Sequence, residues 1–405
     1  MDVEIRTISE DELPAYIRAL DFAFSGVASD ETIERESALA EPDRCFAAFD
    51  GPDIVGTTGV FTMPITMPGG ELEVGFVTAV GVRPTHRRRG INTQLMRRHL
   101  DDAHERGEIV DVLFAQEGGI YGRYGFGLAT FGLAIEIETT RSAFVRGYEP
   151  AGRLRLSDRV AALQEVLALY ETTRLARPGM VRLNEKRFEY WLLHEDEDRE
   201  IPHLVVVHEG ADGVDGYAIY RVKSEWTHGV PGSVLTVHDL QATTASAYAD
   251  LWRFIFDVDL IDRVEAWNRP VDEPLLHLLQ EPRRLGARFV DNLWCRPVDL
   301  AGALRARRYA NDGRVVLDVL DRFCPWNEGR YALEVSAGEA AVTERSDEPA
   351  GLVCTVNEVG AAYLGGTTFR QLQRAGRVQE RTPGAMARAD AMFGWDPAPW
   401  SPFEF

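Results

Sequence analysis

The stretch from Val80 to Thr93, Val-Gly-Val-Arg-Pro-Thr-His-Arg-Arg-Arg-Gly-Ile-Asn-Thr, constrains the fold more than any other part of this chain. It continues an apolar run from Phe76 to Val82 that reads as a strand. Pro84 marks a turn, and beyond Gly90 the apolar residues Ile91, Leu95, Leu100 and Ala103 recur at helical spacing, predicting a helix over 90–106. A strand that turns straight into a helix presents unpaired N–H groups and the positive dipole end beside the sheet. Gly90 lets a phosphate approach the backbone, and Arg87, Arg88 and Arg89 add charge-assisted donors. The pattern suits a pyrophosphate. It lacks the Gly-Lys-Ser/Thr of a nucleotide-hydrolysing loop and is not Gly-x-Gly-x-x-Gly, so nucleotide hydrolysis and dinucleotide redox chemistry lose ground. The competing reading of three adjacent arginines is a solvated basic turn.

Charge weighs against that competitor. The chain has 405 residues, with Lys+Arg 44 against Asp+Glu 64 and a formal net charge of −20. A basic cluster in so acidic a chain needs a reason. The same balance makes nucleic acid and anionic membrane surfaces poor partners and favours small cationic molecules. At roughly 150 residues per domain, the length predicts two to three domains. Cys45, Cys295, Cys324 and Cys354 are widely spaced without a Cys-x-x-Cys pair, so neither a metal site nor a disulfide framework is expected. The N-terminus shows no basic segment followed by an apolar run, and a cytoplasmic location is the expectation.

Three units follow from the order of elements. In the first, Val3–Ile8, Cys45–Phe49, Ile54–Val60, Phe76–Val82 and Val110–Ala115 read as strands, with the 90–106 helix among them. Ser9-Glu-Asp-Glu12 reads as a helix start with an acidic first turn. The second unit has a helix at Val160–Tyr170, strands at His203–His208, Gly216–Arg221 and Val234–Asp239, and a helix from Ser246. It repeats the order of the first without the phosphate turn, where Thr243-Thr-Ala-Ser246 stands instead, so a weak internal duplication is plausible. The third unit is α+β: strands at Gly313–Leu320, Tyr331–Val335, Ala340–Thr343 and Gly351–Val356, then helices.

A second concentration of unusual residues is Glu117-Gly-Gly-Ile-Tyr-Gly-Arg-Tyr-Gly-Phe-Gly127. Its glycines suggest a close-approach turn that would aim Tyr121 at a ligand, with Tyr124 and Phe126 in the core; an aromatic corner without chemistry is the alternative. The C-terminal residues Trp395, Pro397, Pro399, Trp400, Pro402, Phe403 and Phe405 form a rigid apolar tail, suited to docking in a cleft. His86 reads as a turn residue rather than a base, and His238 beside Asp239 as a satisfied core pair.

Arg87-Arg-Arg-Gly-Ile-Asn92 after Val80-Gly-Val82 resembles the acetyl-CoA loop of GCN5-related N-acetyltransferases, with Asn92 departing from the Gly/Ala usual at the last position. With Glu117–Gly127, Tyr363-Leu-Gly-Gly366, Leu251-Trp-Arg-Phe254 and Phe403-Glu-Phe405, the chain resembles the enhanced intracellular survival acetyltransferases over nearly its whole length. The resemblance implies an α/β and α+β protein with two tandem GCN5-related N-acetyltransferase domains, at 1–150 and 151–293, and a sterol-carrier-protein-like domain at 294–405. Only the first would hold a cofactor. It further implies acetyl-CoA held by Val80, Gly81 and Val82, by Arg87, Arg88, Arg89, Gly90, Ile91, Asn92 and Thr93, and by Gln116 and Glu117. Gln116 replaces a Ser common at its position. Tyr121 would donate a proton to the leaving thiolate, and the terminal carboxylate of Phe405 would accept one from the amine. Phe22, Phe24, Glu34, Glu36 and Glu404 are candidates for an aromatic and acidic pocket that takes a cationic amine, and Gly26 stands where the family often has an acid. Acceptors would be aminoglycosides, polyamines or lysine side chains, acetylated by direct attack, in a homo-oligomer and by family analogy a hexamer. The alternative from another class is a non-enzymatic sensor of acyl-CoA or carrier of an apolar ligand.

The proposed proton transfers are uneven in difficulty. A carboxyl pKa of about 3.5 faces an ammonium near 10, a gap of roughly 9 kcal/mol at 1.36 kcal/mol per unit. Waiting for the neutral amine, about one molecule in a thousand at pH 7, costs only about 4 kcal/mol, so orienting that form is the cheaper route.

Overall fold

The computed structural model describes residues 3–190 and 201–405. Two compact units divide the chain: residues 1–129, 293–395 and 405 make the first, and 130–292 with 396–404 the second.

The first unit begins with β1 (Glu4–Thr7), α1 (Leu13–Ala23), α2 (Asp30–Ser37), β2 (Phe46–Asp50), β3 (Asp53–Met67), β4 (Gly70–Val82), α3 (Ile91–Glu105), β5 (Val110–Phe114), α4 (Gly118–Tyr121) and β6 (Gly127–Leu128). The second contains β7 (Phe131–Glu138), β8 (Arg153–Ser157), α5 (Arg159–Arg174), α6 (Glu185–Phe188), β9 (Leu204–Gly210), β10 (Gly213–Lys223), β11 (Trp226–Thr227), β12 (Val230–Pro231), β13 (Ser233–Ala242), α7 (Ala245–Asp257), β14 (Ile261–Pro270), α8 (Leu275–Leu278) and β15 (Arg288–Asp291). The chain re-enters the first unit through β16 (Leu293–Pro297), α9 (Leu300–Ala306), β17 (Gly313–Leu320), β18 (Gly329–Ser336), β19 (Glu339–Glu344), β20 (Leu352–Thr355), α10 (Val356–Ala362), α11 (Phe369–Arg374), β21 (Gln379–Glu380) and α12 (Ala385–Phe393).

Three larger sheets result, ordered β1-β2-β3-β4-β5-β16-β6, β15-β7-β14-β13-β10-β9-β8 and β19-β18-β17-β20-β21. Reversed, the second order matches the first strand for strand, and each has one parallel pair, β4 with β5 and β13 with β14. The duplication suggested by the sequence is thus a repeat of topology. Strand exchange blurs its boundaries. Phe131–Glu138, inside the expected 1–150 domain, pairs in the second sheet, while Leu293–Pro297 pairs with β5 and β6 in the first.

Local chemistry explains the elements that frame the site. Ser9 and Glu12 form a capping box, placed on a short 3-10 turn that leads into α1. All five residues of β5 are buried, as in a strand flanked by strands and covered on both faces. On α3 the positions picked out by periodicity, Ile91, Leu95, Leu100 and Ala103, are all buried. The third sheet packs its apolar face on α10, α11 and α12 through Leu317, Leu333, Val359, Phe369 and Phe393.

Candidate active site

The site grows from a parting of strands in the first unit. β4 and β5 pair in parallel only at Gly75 with Asp111 and Phe76 with Val112, although β4 continues to Val82 and β5 to Phe114. Beyond that point the edge of β4 facing β5 is open. β4 also carries an irregularity: the register with β3 shifts between Thr57 and Gly59, and Ala79 adopts a left-handed φ of +53°. The Thr57 hydroxyl donates to the Ala79 carbonyl at 2.8 Å, holding that bulge.

Downstream, Gly90 caps α3 at φ +81°, with no side chain occupying the helix N-terminus and open space where a Cβ would stand. The first helical bond is Gln94 N–H to the Gly90 carbonyl, so the N–H groups of Ile91, Asn92 and Thr93 are left for an anion. Arg88 and Arg89 are exposed beside them. Arg87 differs from expectation. Its guanidinium donates to the carbonyls of Val82 (3.2 Å) and Ala23 (2.7 Å), tying the turn to the ends of β4 and α1. In the second unit the equivalent helix α7 is closed by Thr244, whose hydroxyl accepts from Ala247 N–H at 3.1 Å. The terminus the sequence singled out is open, and its repeat is capped.

Tyr121 ends α4, 7% exposed, in a cluster with Val60, Val77, Met96, Leu113, Tyr124 and Phe126. Burial, then the Tyr124 and Glu117 charges, push its hydroxyl pKa up to about 12. Tyr124 and Phe126 are core, as expected. The glycines before Tyr121 are helical rather than a close-approach turn, and a Cβ at Gly119 would touch nothing. Gln116 and Glu117 are exposed just beyond the end of β5. The ring of Phe405 packs edge-on against Phe76 (4.6 Å) and Phe114 (5.3 Å), the residues flanking the point where β4 and β5 part.

Strand alternation separates these two groups. Phe76 and Phe114 share the face of Val112, whereas Val77 and Leu113, which pack with Tyr121, point the other way. Tyr121 and Phe405 therefore approach the parted strands from opposite faces.

The substrate candidates divide. Phe22 (56% exposed) and Phe24 (58% exposed) lie at the end of α1, with the Arg83 guanidinium 5.8 Å from the Phe22 ring centroid. Glu34 and Glu36 lie on neighbouring α2, where burial and the Asp21 charge raise the pKa of Glu36. Glu404 belongs to the second unit, its pKa raised by burial and by Asp291. There the tail is tied down: Ser401 bonds the side chains of Asn268 and Asn292 through its backbone, and the Trp400 indole donates to Asn268 at 2.8 Å.

Two histidine readings are resolved. His86 sits in a turn, bonded to Thr85 and Asp50. His238 and Asp239 are not a pair: the register of β13 with β10 shifts at His238, which sits in a bulge, and each side chain finds its own partner, Arg221 donating to His238 and Tyr217 to Asp239. Cys45 is buried, and burial raises its thiol to about 12, leaving it no thiolate at neutral pH. Thr57 and Ala79 were missed in the sequence because nothing in a Gly-Thr-Thr-Gly or Thr-Ala-Val run marks a bulge.

Comparison with known proteins identifies the domains that carry this site. Residues 4–129 and 179–301 each match a model of the acetyltransferase (GNAT) domain, and 300–402 match a sterol carrier protein domain. An uncharacterized N-acetyltransferase of Streptomyces avermitilis is 39% identical, covering 100% of both chains. The N-acetyltransferase Eis of Mycobacterium tuberculosis is 30% identical, again over 100% of both. The crystal structure of Eis1 from Mycobacterium abscessus superposes with a TM-score of 0.85 at 34% identity, covering 99% of this chain and 100% of that one. Acetyltransferases of the GNAT type use acetyl-CoA. The chain belongs to the Eis family of N-acetyltransferases, with two GNAT domains followed by a sterol carrier protein domain.

Proposed function

We propose that this acetyltransferase moves the acetyl group of acetyl-CoA to cationic amines, those of aminoglycosides, polyamines or lysine side chains, by direct attack in a ternary complex. Three domains at about 1–150, 151–293 and 294–405, a homo-oligomer of the hexameric kind and a cytoplasmic location complete the reading. The pyrophosphate lies on the N–H groups of Ile91, Asn92 and Thr93 with Arg88 and Arg89 beside it, and the pantetheine arm runs along Val80, Gly81 and Val82 toward Gln116 and Glu117.

One observation carries the mechanism: Tyr121 and Phe405 meet the parted strands from opposite faces. A thioester held between them has its sulfur toward Tyr121 and its carbonyl carbon open to an amine on the other side. The amine nitrogen forms the new C–N bond, the C–S bond breaks, and the ammonium proton goes to the carboxylate of Phe405. With its pKa near 12, the Tyr121 hydroxyl stays protonated while the thiolate forms. Full transfer to a thiolate of pKa about 8.5 is uphill by roughly 5 kcal/mol, so Tyr121 acts first as a hydrogen-bond donor to sulfur.

The test follows free thiol release from acetyl-CoA with a panel of aminoglycosides, polyamines and peptides. Tyr121→Phe should lower kcat about 10- to 100-fold with KM for acetyl-CoA little changed. Removing Phe405, or adding one residue after it, should also lower turnover. Failure of every amine to release thiol would favour the sensor or carrier.

A further inference from the structure

The loop that follows Tyr121 is held by a residue more than two hundred positions away. Asn357, on α10 of the sterol carrier domain, donates its side-chain N–H groups to the carbonyls of Gly122 (2.7 Å) and Phe126 (2.9 Å). Both partners are pure acceptors, so the amide nitrogen must face the loop; the Asn357 carbonyl oxygen takes the Thr355 hydroxyl at 3.0 Å. The two bonds bracket Gly122–Phe126, the segment that directly follows Tyr121 and contains Tyr124.

The approach that permits this is built from glycines. A Cβ at Gly127 would overlap the Asn357 carbonyl oxygen, and one at Gly360 the Cys295 carbonyl oxygen, so α10 lies backbone to backbone on β6 and β16. Phe323 adds a ring contact with Tyr124 at 5.1 Å, and the Tyr124 hydroxyl meets Thr93 Oγ1 on α3 at 3.2 Å. Hence the Tyr121 loop is fixed on one side by the helix that carries the anion site and on the other by α10.

We propose that Asn357 is a positioning residue for acetyl transfer: it fixes the loop so that the Tyr121 hydroxyl is aimed at the thioester sulfur. This rests on the reading of Tyr121 as donor. It assigns the sterol carrier domain a part in the chemistry that does not depend on the chain terminus. Losing the clamp frees two carbonyls and loosens the loop, but leaves the cofactor's anion site on α3 untouched. The signature is therefore a fall in kcat without a rise in KM for acetyl-CoA.

A double-mutant cycle tests this. Asn357→Ala should lower kcat about tenfold with KM for acetyl-CoA within about twofold. In the Tyr121→Phe background the same substitution should cost less than about twofold, since there is no hydroxyl left to aim. If Asn357→Ala does not fold, Asn357→Ser, which retains one donor, is read in the same cycle. An undiminished loss in the Tyr121→Phe background, or unchanged kcat in the single variant, overturns the inference. Unchanged kcat in Tyr121→Phe alone overturns instead the reading of Tyr121 on which it rests.

Discussion

At Ala79 the backbone of β4 takes a left-handed conformation that costs a non-glycine residue about 1–3 kcal/mol, a strain maintained only where the surroundings over-determine it. Thr57 is one such determinant, buried at 1% exposure with its hydroxyl on the Ala79 carbonyl. The bulge turns the backbone of Val80–Val82 along the open edge of β4, where the pantetheine arm is proposed to bind. Thr57→Val keeps the shape and removes the bond, worth about 1 kcal/mol net or roughly fivefold in an equilibrium. KM for acetyl-CoA should rise about fivefold in Thr57→Val and return to its original value in Thr57→Ser. Steady-state kinetics with the amine saturating measures this, and equal KM in all three proteins would leave the bulge without a binding role.

Elements were legible in the sequence where periodicity is strong and local. The α3 face, the β9–β10 hairpin around Gly210 and Gly213 and the strand Gly313–Leu320 were readable from alternation and spacing. Strand exchange was not, because which sheet receives Phe131–Glu138 or Leu293–Pro297 depends on pairings more than a hundred residues distant. The clamp from Asn357 escaped for the same reason, while Tyr121 and the Arg87–Gly90 turn stood out because each lies in a short, compositionally unusual run of glycines with aromatics or arginines. His238 on β13 shows what burying a titratable side chain implies for stability. It is held neutral, its pKa lowered to about 3 by burial, then by His203 and by Arg221, which donates to its Nε2 at 2.8 Å. The unfolded chain takes up the proton near pH 6.5, the folded one only near 3, so this stabilisation is complete above 6.5 and falls as pH drops between those values. Acidifying from pH 7 to pH 5 should cost about 2 kcal/mol from this group. Thermal unfolding across that range should show a shallower decline in His238→Gln, and an identical slope would locate the acid sensitivity elsewhere.

Across the whole molecule, one topology occurs twice with opposite fates at the helix N-terminus. Gly90 leaves α3 open and Thr244 closes α7, so duplication supplied two scaffolds and side-chain chemistry opened only one of them to an anion. Charge is distributed to the same end. The net −20 opposes an anionic cofactor in general, the exposed Arg88 and Arg89 beside that open terminus offset it locally, and under the proposed function the same net charge would attract cationic acceptors. Such attraction acts on encounter and binding and is screened by salt, with a Debye length near 30 Å at 0.01 M and about 10 Å at 0.1 M. It scales with the charge of the acceptor and leaves the chemical step alone. For two accepted amines, a tetracation such as spermine and a monocation, raising salt from about 0.01 M to about 0.3 M should increase KM several-fold for the first and less than about twofold for the second, with kcat steady for both. Equal salt responses would mean that the acceptor is chosen by shape and hydrogen bonds alone, and that the acidity of the chain has no part in recruiting it.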